Sequence, residues 1–318
     1  MTVSWGILAT GRIAEAFATD LALVEGHRLS AVGSRSQAAA QSFVARHGAS
    51  HTRAHGSYEA LAGDPDVDVV YVATPHTRHL EDVELCLAAG KHVLCEKPLT
   101  MDESSTRRMI ETARGAGLFL AEAMWMRTIP AVRAAVDVAR SGRLGTITQV
   151  RADLGFVAPR ERERLWRPEL GADALLDLGI YPVTFAHLVL GPAEHTRAVA
   201  HRDEHGVVLA GAATQVHAGG AIATLSWTQV AQSDRRASIA GDEGLLEIEG
   251  PFHHPDGFTV TTSSGTESVH LPRTGRGYAH EIEEVGRCLA EGRTESALLD
   301  LDDSLAVAEQ LARIAAAS

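Results

Sequence analysis

The stretch VSWGILATGRIA, residues 3–14, decides the fold, because a mostly apolar run leads directly into a small-residue turn and a helical segment. The run Val3–Leu8 predicts a buried strand, and apolar residues recur at helical spacing over residues 12–23. The same order of strand and helix continues to about residue 125. This alternation predicts a parallel sheet with helices on both faces.

The rest of the first half follows the same rhythm. Further strands are expected at residues 29–32, 68–73, 92–95 and 119–121, and further helices at residues 37–46, 78–89 and 103–116. We therefore predict that residues 1–125 form an α/β domain of the Rossmann type, which binds a dinucleotide.

The second half has a different pattern. One helix is expected at residues 131–140, alternating strands at 146–154, 207–216, 221–228 and 237–249, and helices at 278–291 and 302–316. Short glycine turns between alternating strands predict an antiparallel or mixed sheet with one covered face. We predict an α+β domain over residues 126–318 with a large, mostly antiparallel sheet, and a C-terminal helix able to pack back on the first domain.

Composition argues against several classes of protein. The 318 residues carry a formal net charge of −12, which disfavours a general nucleic-acid binder, since phosphate contacts need clustered Lys and Arg. No run of about 18 apolar residues and no secretory signal is visible, so no membrane association is predicted. Three scattered cysteines indicate buried thiols in a reducing cytoplasm rather than disulfides. No histidine or cysteine pairing typical of a metal site is found.

The first strand–helix junction is the candidate cofactor site. A dinucleotide fingerprint has three glycines here, and only Gly11 is present, although Ala9 and Ala14 keep the other two positions small. Ligands of parallel sheets lie at the carboxyl ends of the strands, so a pyrophosphate is expected at the start of the following helix. A plain tight turn is the alternative. The candidate cofactor-binding residues are Ala9, Thr10, Gly11, Arg12 and Ile13.

The end of the second strand distinguishes between the two nicotinamide cofactors. An NAD enzyme places an acid there to bind the ribose hydroxyls, whereas this chain has Ser34, Arg35 and Ser36. A guanidinium and two hydroxyls suit the 2′-phosphate of NADP, which a carboxylate would repel. We predict NADP as the cofactor and keep NAD as the alternative. A solvated loop arginine is the structural alternative for Arg35.

A second charged turn follows the predicted strand of GKHVLCEKPLT, residues 90–100. Glu96 and Lys97 come directly after the apolar residues 93–95. Charges at the end of a buried strand need partners or a function. A surface ion pair is the alternative to a functional role for Lys97.

With these segments in place, the chain resembles the glucose-fructose oxidoreductase/inositol dehydrogenase (GFO/IDH/MocA) family of two-domain oxidoreductases. The resemblance spans essentially the whole chain. It rests on WGILATGRIA at 5–14, ATPHTRH at 73–79, CLAAGKHVLCEKP at 86–98, EAMWMR at 122–127 and GADALLDLGIYP at 171–182, with weaker support from YAHEIEEV at 278–285. EAMWMR and LLDLGIY are similar to the branch of dimeric dihydrodiol dehydrogenases and NADP-dependent D-xylose dehydrogenases.

The resemblance implies roles for residues of the first domain. It places Lys97 beside the nicotinamide, in reach of the substrate and the cofactor ribose, with Glu96 as its neighbour and a cis bond before Pro98. The other matched positions are Thr74, Pro75, His76 and His79 for the cofactor, and Trp125 and Arg127 for the substrate. His76 stands where many members have Asn. His79 equally suits a structural histidine, and Trp125 equally suits core packing.

Asp177 and Tyr181 complete the implied site. They are four residues apart, so on a helix both project from one face. A phenol and a carboxylate facing one cleft make an acid/base and an anchor for a substrate hydroxyl. Many family members carry His in place of Tyr181, and the Tyr fits the dihydrodiol and xylose branch. A helix cap for Asp177 with a half-buried Tyr181 is the alternative.

The resemblance implies an NADP-dependent oxidoreductase that transfers a hydride between the nicotinamide and a CH–OH group of an aldose such as D-xylose, or of a trans-dihydrodiol. The alternatives are an NAD-dependent glycoside hydrolase of the same fold and a non-catalytic NADP-binding regulator. The predicted second-domain sheet has a face that the expected helices cannot fully cover. The resemblance implies that two copies pair through this face, so a homodimer is expected.

Overall fold

The computed structural model describes residues 2–318, which divide into two units. The first comprises the chain up to Thr128 together with Thr274–Ser304, and the second comprises Ile129–Arg273 together with Leu305–Ser318. The predicted fold class is confirmed, since one unit contains a six-stranded parallel sheet and the other an eight-stranded, mostly antiparallel sheet. The assignment of cofactor and substrate to separate domains stays a prediction.

The first unit has a Rossmann-type sheet. Its strands are β1 (Val3–Leu8), β2 (His27–Gly33), β3 (Arg53–His55), β4 (Val69–Val72), β5 (His92–Glu96) and β6 (Leu120–Ala123). Its helices are α1 (Arg12–Leu21), α2 (Gln37–His47), α3 (Tyr58–Ala62), α4 (His79–Ala88) and α5 (Glu103–Ala116). The strands lie in the order β3-β2-β1-β4-β5-β6. The order reverses between β1 and β4, which is where open parallel sheets bind their ligands.

Local sequence explains where these helices begin and end. Ser36, Ser57 and Asp102 precede α2, α3 and α5, and each side chain accepts a hydrogen bond from the backbone N–H three residues later. Gly117 ends α5 in the left-handed region, with φ of 63°. Each of these helices is therefore fixed at a capped end as well as by its buried face.

The second unit has one large sheet. Its elements are α6 (Pro130–Arg140), β7 (Ile147–Gly155), α7 (Ile180–Leu190), β8 (Ala193–Arg202), β9 (Val208–His217), β10 (Ile222–Thr228), β11 (Ala237–Gly241), β12 (Gly244–Ile248), β13 (Gly257–Thr262) and β14 (Gly265–His270). The strand order is β14-β13-β12-β11-β7-β10-β9-β8, and β7 and β10 are the parallel pair. All other neighbours in this order run antiparallel.

The two faces of this sheet differ in burial. On one face Trp227 of β10 is buried, and Gly179 and Gly211 leave room for its indole: a Cβ at Gly211 would lie 2.4 Å from the ring. On the other face, exposed Arg151 and Thr224 lie side by side on β7 and β10. The sheet therefore has one core face and one polar face that the second unit leaves open.

Two further helices, α8 (Tyr278–Ala290) and α9 (Leu301–Ala316), close the chain. The start of α8 is held by Asp20, whose buried carboxylate accepts hydrogen bonds of 2.9–3.1 Å from the backbone N–H groups of Arg276, Gly277 and Tyr278. A charged acceptor with several N–H donors makes a strong cap. This contact joins residues that lie 256 to 258 positions apart in the chain.

One helical stretch, Pro168–Leu190, is long and apolar enough to cross a membrane, with 23 residues and a mean hydropathy of 1.3. The core helix of a globular domain has the same length and composition, and 67% of the apolar window is buried. We interpret this stretch as the core helix of the second unit, because α7 packs on β7 and β10.

Candidate active site

The turn after β1 presents backbone to open space. Gly11 precedes α1 with extended backbone (φ −77°, ψ 177°), and a Cβ placed there would meet no described atom within 4 Å. Ala9 has φ of 87°, the left-handed conformation that glycine adopts most easily. Because the first N–H groups of a helix have no partner within it, this turn can receive an anionic group.

The turn after β2 carries the predicted 2′-phosphate residues. Ser34 is buried, and its Oγ accepts a 3.4 Å hydrogen bond from the N–H of Ser36, whose own hydroxyl caps α2. Arg35 is exposed and lies within hydrogen-bonding reach of Tyr58. Burial raises the pKa of Tyr58, and the guanidinium of Arg35 opposes that shift. The end of β2 therefore carries a guanidinium and no carboxylate.

The loop after β4 contains three of the predicted residues. Thr74 and His76 are buried, whereas Pro75 is exposed. The hydroxyl of Thr74 has no hydrogen-bond partner within residues 2–318. His79, the first residue of α4, is fully enclosed, and both of its ring nitrogens contact backbone carbonyls.

The loop after β5 is held by the strands on both sides of it. Tyr71 of β4 donates a short hydrogen bond to Glu96, and Glu96 accepts a second from the backbone N–H of Lys97 at 3.1 Å. The peptide bond before Pro98 is cis, as the resemblance implies. On the far side, Glu122 of β6 accepts a 3.1 Å hydrogen bond from the N–H of Leu99. Lys97 thus stands on a fixed backbone at the carboxyl edge of the sheet.

Two buried acids, Glu122 and Glu281, lie near this loop. Glu122 is fully buried, which raises its pKa, while hydrogen bonds and the nearby Arg127 and Lys97 charges oppose the shift. Glu281 of α8 is also fully buried, and neither of its carboxyl oxygens has a partner among the described residues. Burial, and then the negative charges of Glu96 and Asp20, raise its pKa well above the ordinary value. Burial and the two neighbouring negative charges therefore favour the protonated form of Glu281.

Trp125 and Arg127 follow β6 and are both buried. The Trp125 ring stacks on Tyr278 with centroids 4.8 Å apart and an interplanar angle of 10°. Arg127 forms a short ion pair with Asp303 and donates a 3.3 Å hydrogen bond to the carbonyl of Asp300. These contacts tie the segment after β6 to the end of the first unit, and a substrate-binding role for either residue stays a prediction.

Asp177 and Tyr181 lie on consecutive turns of the second unit. Asp177 belongs to a π-helical turn, Leu175–Gly179, that leads directly into α7, where Tyr181 is buried. The cap at this helix start is Asp173, which accepts hydrogen bonds from the N–H groups of Leu175 (2.7 Å) and Leu176 (3.3 Å). The side chain of Asp177 is thus not the helix cap.

Two contacts in this region were not predicted from the sequence. Arg164 donates to both carboxylate oxygens of Asp177, at 3.2 and 3.4 Å. The ring of His253 lies 4.8 Å from that of Tyr181. Arg164 and His253 belong to none of the motifs described above, so only the fold brings them to these positions.

Comparison with known proteins identifies the family. Residues 3–123 match the model of the GFO/IDH/MocA oxidoreductase family with an NAD-binding Rossmann fold, and residues 132–247 match the family's C-terminal domain. The chain belongs to the GFO/IDH/MocA family of oxidoreductases.

Individual members of the GFO/IDH/MocA family match nearly the whole chain. Trans-1,2-dihydrobenzene-1,2-diol dehydrogenase of Sus scrofa is 35% identical over 328 residues, which cover 99% of this chain and 96% of the relative. D-xylose 1-dehydrogenase (NADP(+)) of Hypocrea jecorina is 33% identical over 353 residues, which cover 98% and 90%. KijD10, a 3-ketoreductase from Actinomadura kijaniata solved with NADP and TDP-benzene, superimposes with a TM-score of 0.90 at 27% identity over 100% of this chain and 98% of that one. The predicted family and branch are confirmed.

The neutral state of Glu281 predicts a pH-dependent stability. The unfolded chain releases this proton above a pKa of about 4.3, whereas the folded protein keeps it, so the contribution of Glu281 to stability is full at low pH and declines as pH rises. Glu281→Gln removes the titration. Above about pH 5, the free energy of unfolding of Glu281→Gln should therefore increase relative to that of the wild type by up to about 1.4 kcal/mol per pH unit. Urea unfolding from pH 5 to pH 8 measures this difference.

Glu283 is the matched control, because it is exposed on the same helix. Glu283→Gln should show no such trend with pH. A stability difference between Glu281→Gln and wild type that stays constant from pH 5 to pH 8 would contradict a neutral Glu281.

Proposed function

We propose that this GFO/IDH/MocA protein is an NADP-dependent dehydrogenase acting on a CH–OH group of an aldose or a trans-dihydrodiol. The observation that carries the proposal is the fixed loop that holds Lys97 at the carboxyl edge of a Rossmann sheet. The diol and xylose dehydrogenases among the relatives support this class of substrate. Absorbance at 340 nm, recorded with NADP and a panel of aldoses and dihydrodiols, tests it, because a regulator would bind NADP without turnover.

The first unit fits the cofactor at two points. The open space at Gly11 and the α1 N-terminus suit a pyrophosphate, which Ala9, Thr10, Gly11, Arg12 and Ile13 would hold. Ser34, Arg35 and Ser36 would hold the 2′-phosphate, and the unpartnered hydroxyl of Thr74 would face the dinucleotide. When bound, NADP supplies the hydride acceptor or donor.

The cofactor assignment predicts a selective effect of Arg35. Arg35→Ala should raise the KM for NADP while leaving the KM for NAD nearly unchanged, because only NADP carries the 2′-phosphate. Gly11→Ala is the comparison: its Cβ meets nothing in the protein, so the variant should keep its stability and bind both cofactors more weakly. Steady-state kinetics with each cofactor measure both effects, and a wild-type enzyme that uses NAD better than NADP would overturn the assignment.

We infer that Tyr181 Oη takes the proton of the substrate hydroxyl during oxidation and returns it during reduction. A phenol has an unperturbed pKa of about 10 and is a poor base at neutral pH, and a nearby ammonium lowers that pKa. We propose that Lys97 supplies this ammonium, as the family resemblance implies. We propose that Asp177, held by Arg164, binds a hydroxyl of the substrate.

This mechanism predicts that Lys97 and Tyr181 act as one unit. Tyr181→Phe should lower kcat by roughly 10²–10⁴-fold, the usual contribution of general acid–base catalysis, with NADP binding retained. Lys97→Ala should lose a similar factor, and the double variant should lose little more than either single one, because residues that act as a unit are non-additive. Losses that multiply in the double variant would instead assign the two residues independent roles.

We also propose that the open face of the second-unit sheet pairs two copies of the chain. This face carries Val199 and Ile222, which remain 69% and 41% exposed, among polar neighbours such as Thr224. Large apolar side chains exposed on a sheet face are typical of an interface. Light scattering at micromolar concentration should give the mass of a dimer, and Ile222→Asp should weaken it. A wild-type monomer would contradict this proposal.

The cytoplasm is the compartment that fits the chain best. Cys86, Cys95 and Cys288 are all free and buried. Burial raises the pKa of Cys86 to about 12 and that of Cys288 to about 11, so these thiols are not reactive.

A further inference from the structure

His79 contacts two functional loops with one ring. Its Nε2 lies 2.9 Å from the carbonyl oxygen of Thr74, in the loop after β4. Its Nδ1 lies 2.9 Å from the carbonyl oxygen of Pro98 and 3.2 Å from that of Leu99, in the loop after β5. The residue is 1% exposed, so its ring is enclosed by protein and has no surface left for a cofactor.

The two loops have different roles in the proposed function, on which this inference rests. Thr74 follows β4 and belongs to the residues assigned to the dinucleotide, whereas Pro98 and Leu99 follow Lys97 directly. The chain between the two loops runs through α4 and β5, and Lys97 lies 23 positions after Thr74. The loops are therefore not neighbours in the sequence. A bridge between them fixes the distance from the cofactor to the ammonium.

We propose that His79 is a positioning residue that couples the cofactor loop to the catalytic loop, with Nε2 serving the first and Nδ1 the second. A carbonyl oxygen only accepts, so a ring nitrogen has to donate to the carbonyl it faces: the neutral ring donates to one loop, and the imidazolium donates to both. Burial is the largest influence on His79 and lowers its pKa, while the carbonyl contacts and then the carboxylate of Asp82, one turn further along α4, oppose that shift.

Two amide variants separate the two bonds. In His79→Asn the amide nitrogen takes the place of Nδ1 and keeps the contact with Pro98, while the contact with Thr74 is lost. In His79→Gln the amide nitrogen takes the place of Nε2 and keeps the contact with Thr74, while the contacts with Pro98 and Leu99 are lost. An amide N–H donates at every pH, so neither variant depends on the charge of the original ring.

We expect one variant to change only the affinity for NADP and the other to change only the turnover. A lost buried hydrogen bond corresponds to roughly a 10-fold effect or more. His79→Asn should therefore raise the Kd for NADP about 10-fold and keep kcat near that of the wild type. His79→Gln should lower kcat about 10-fold or more and keep the Kd for NADP. Fluorescence titration with NADPH gives the Kd, and steady-state assays give kcat.

His92 provides the matched control. It is half-buried at the other end of β5, where its Nδ1 accepts a 2.9 Å hydrogen bond from the N–H of Phe119. His92→Asn and His92→Gln should leave both the Kd and kcat unchanged, whatever they do to the melting temperature. The comparison thus separates positioning from a general loss of stability.

The experiment distinguishes failure of this coupling from failure of the proposed function. If wild-type protein binds NADP but turns over no sugar or diol, the proposed chemistry is wrong, and the Kd values of the two variants still test the cofactor half of the coupling. If the wild type is active and the two variants change Kd and kcat in parallel, or change neither, the coupling is wrong. Each variant makes its own prediction, so one that does not fold leaves the other decisive.

Discussion

The buried carboxylate of Glu96 is the constraint on which the active edge of the first unit depends. A charge at the end of a buried strand is costly unless it is hydrogen bonded. The phenol of Tyr71, on the adjacent strand, and the backbone N–H of Lys97 supply those bonds. Tyr71 reaches Glu96 because its ring is stacked on Phe17 of α1 at 3.7 Å. The orientation of the Lys97 loop is therefore set by packing inside the sheet and not by the loop alone.

The same packing explains why the segment Thr274–Ser304 belongs to the first unit. Tyr278 covers both Phe17 and Trp125, and Asp20 fixes its helix by accepting backbone N–H groups at the start of α8. That helix also brings Glu281 into the region of Glu96 and Asp20. A third negative charge there would be repelled by the other two, and this repulsion, together with burial, favours the protonated form of Glu281.

The most buried strands were predictable from the sequence, whereas the exposed edge strands β8 and β14 were not. Residues of β1 and β4 are buried on both faces, so each forms a continuous apolar run that stands out in the sequence. β8 and β14 lie at the two edges of the second sheet, and β14 is exposed at nearly every position. Neither strand has an apolar run or an alternating pattern, since little of it is buried, and their pairing is decided by their neighbours in the sheet.

Motifs predicted the candidate site only where its residues are close in the chain. Tyr71 and Glu122 lie about 25 residues from the loop they hold, so no local pattern marks them. Asp173 and Asp177 show the limit most directly, because both precede the same apolar helix and either suits a cap. The N–H groups of residues 175 and 176 point towards Asp173, whose carboxylate therefore serves as the helix cap. Asp177 instead pairs with the half-exposed Arg164, a contact that no sequence pattern marks.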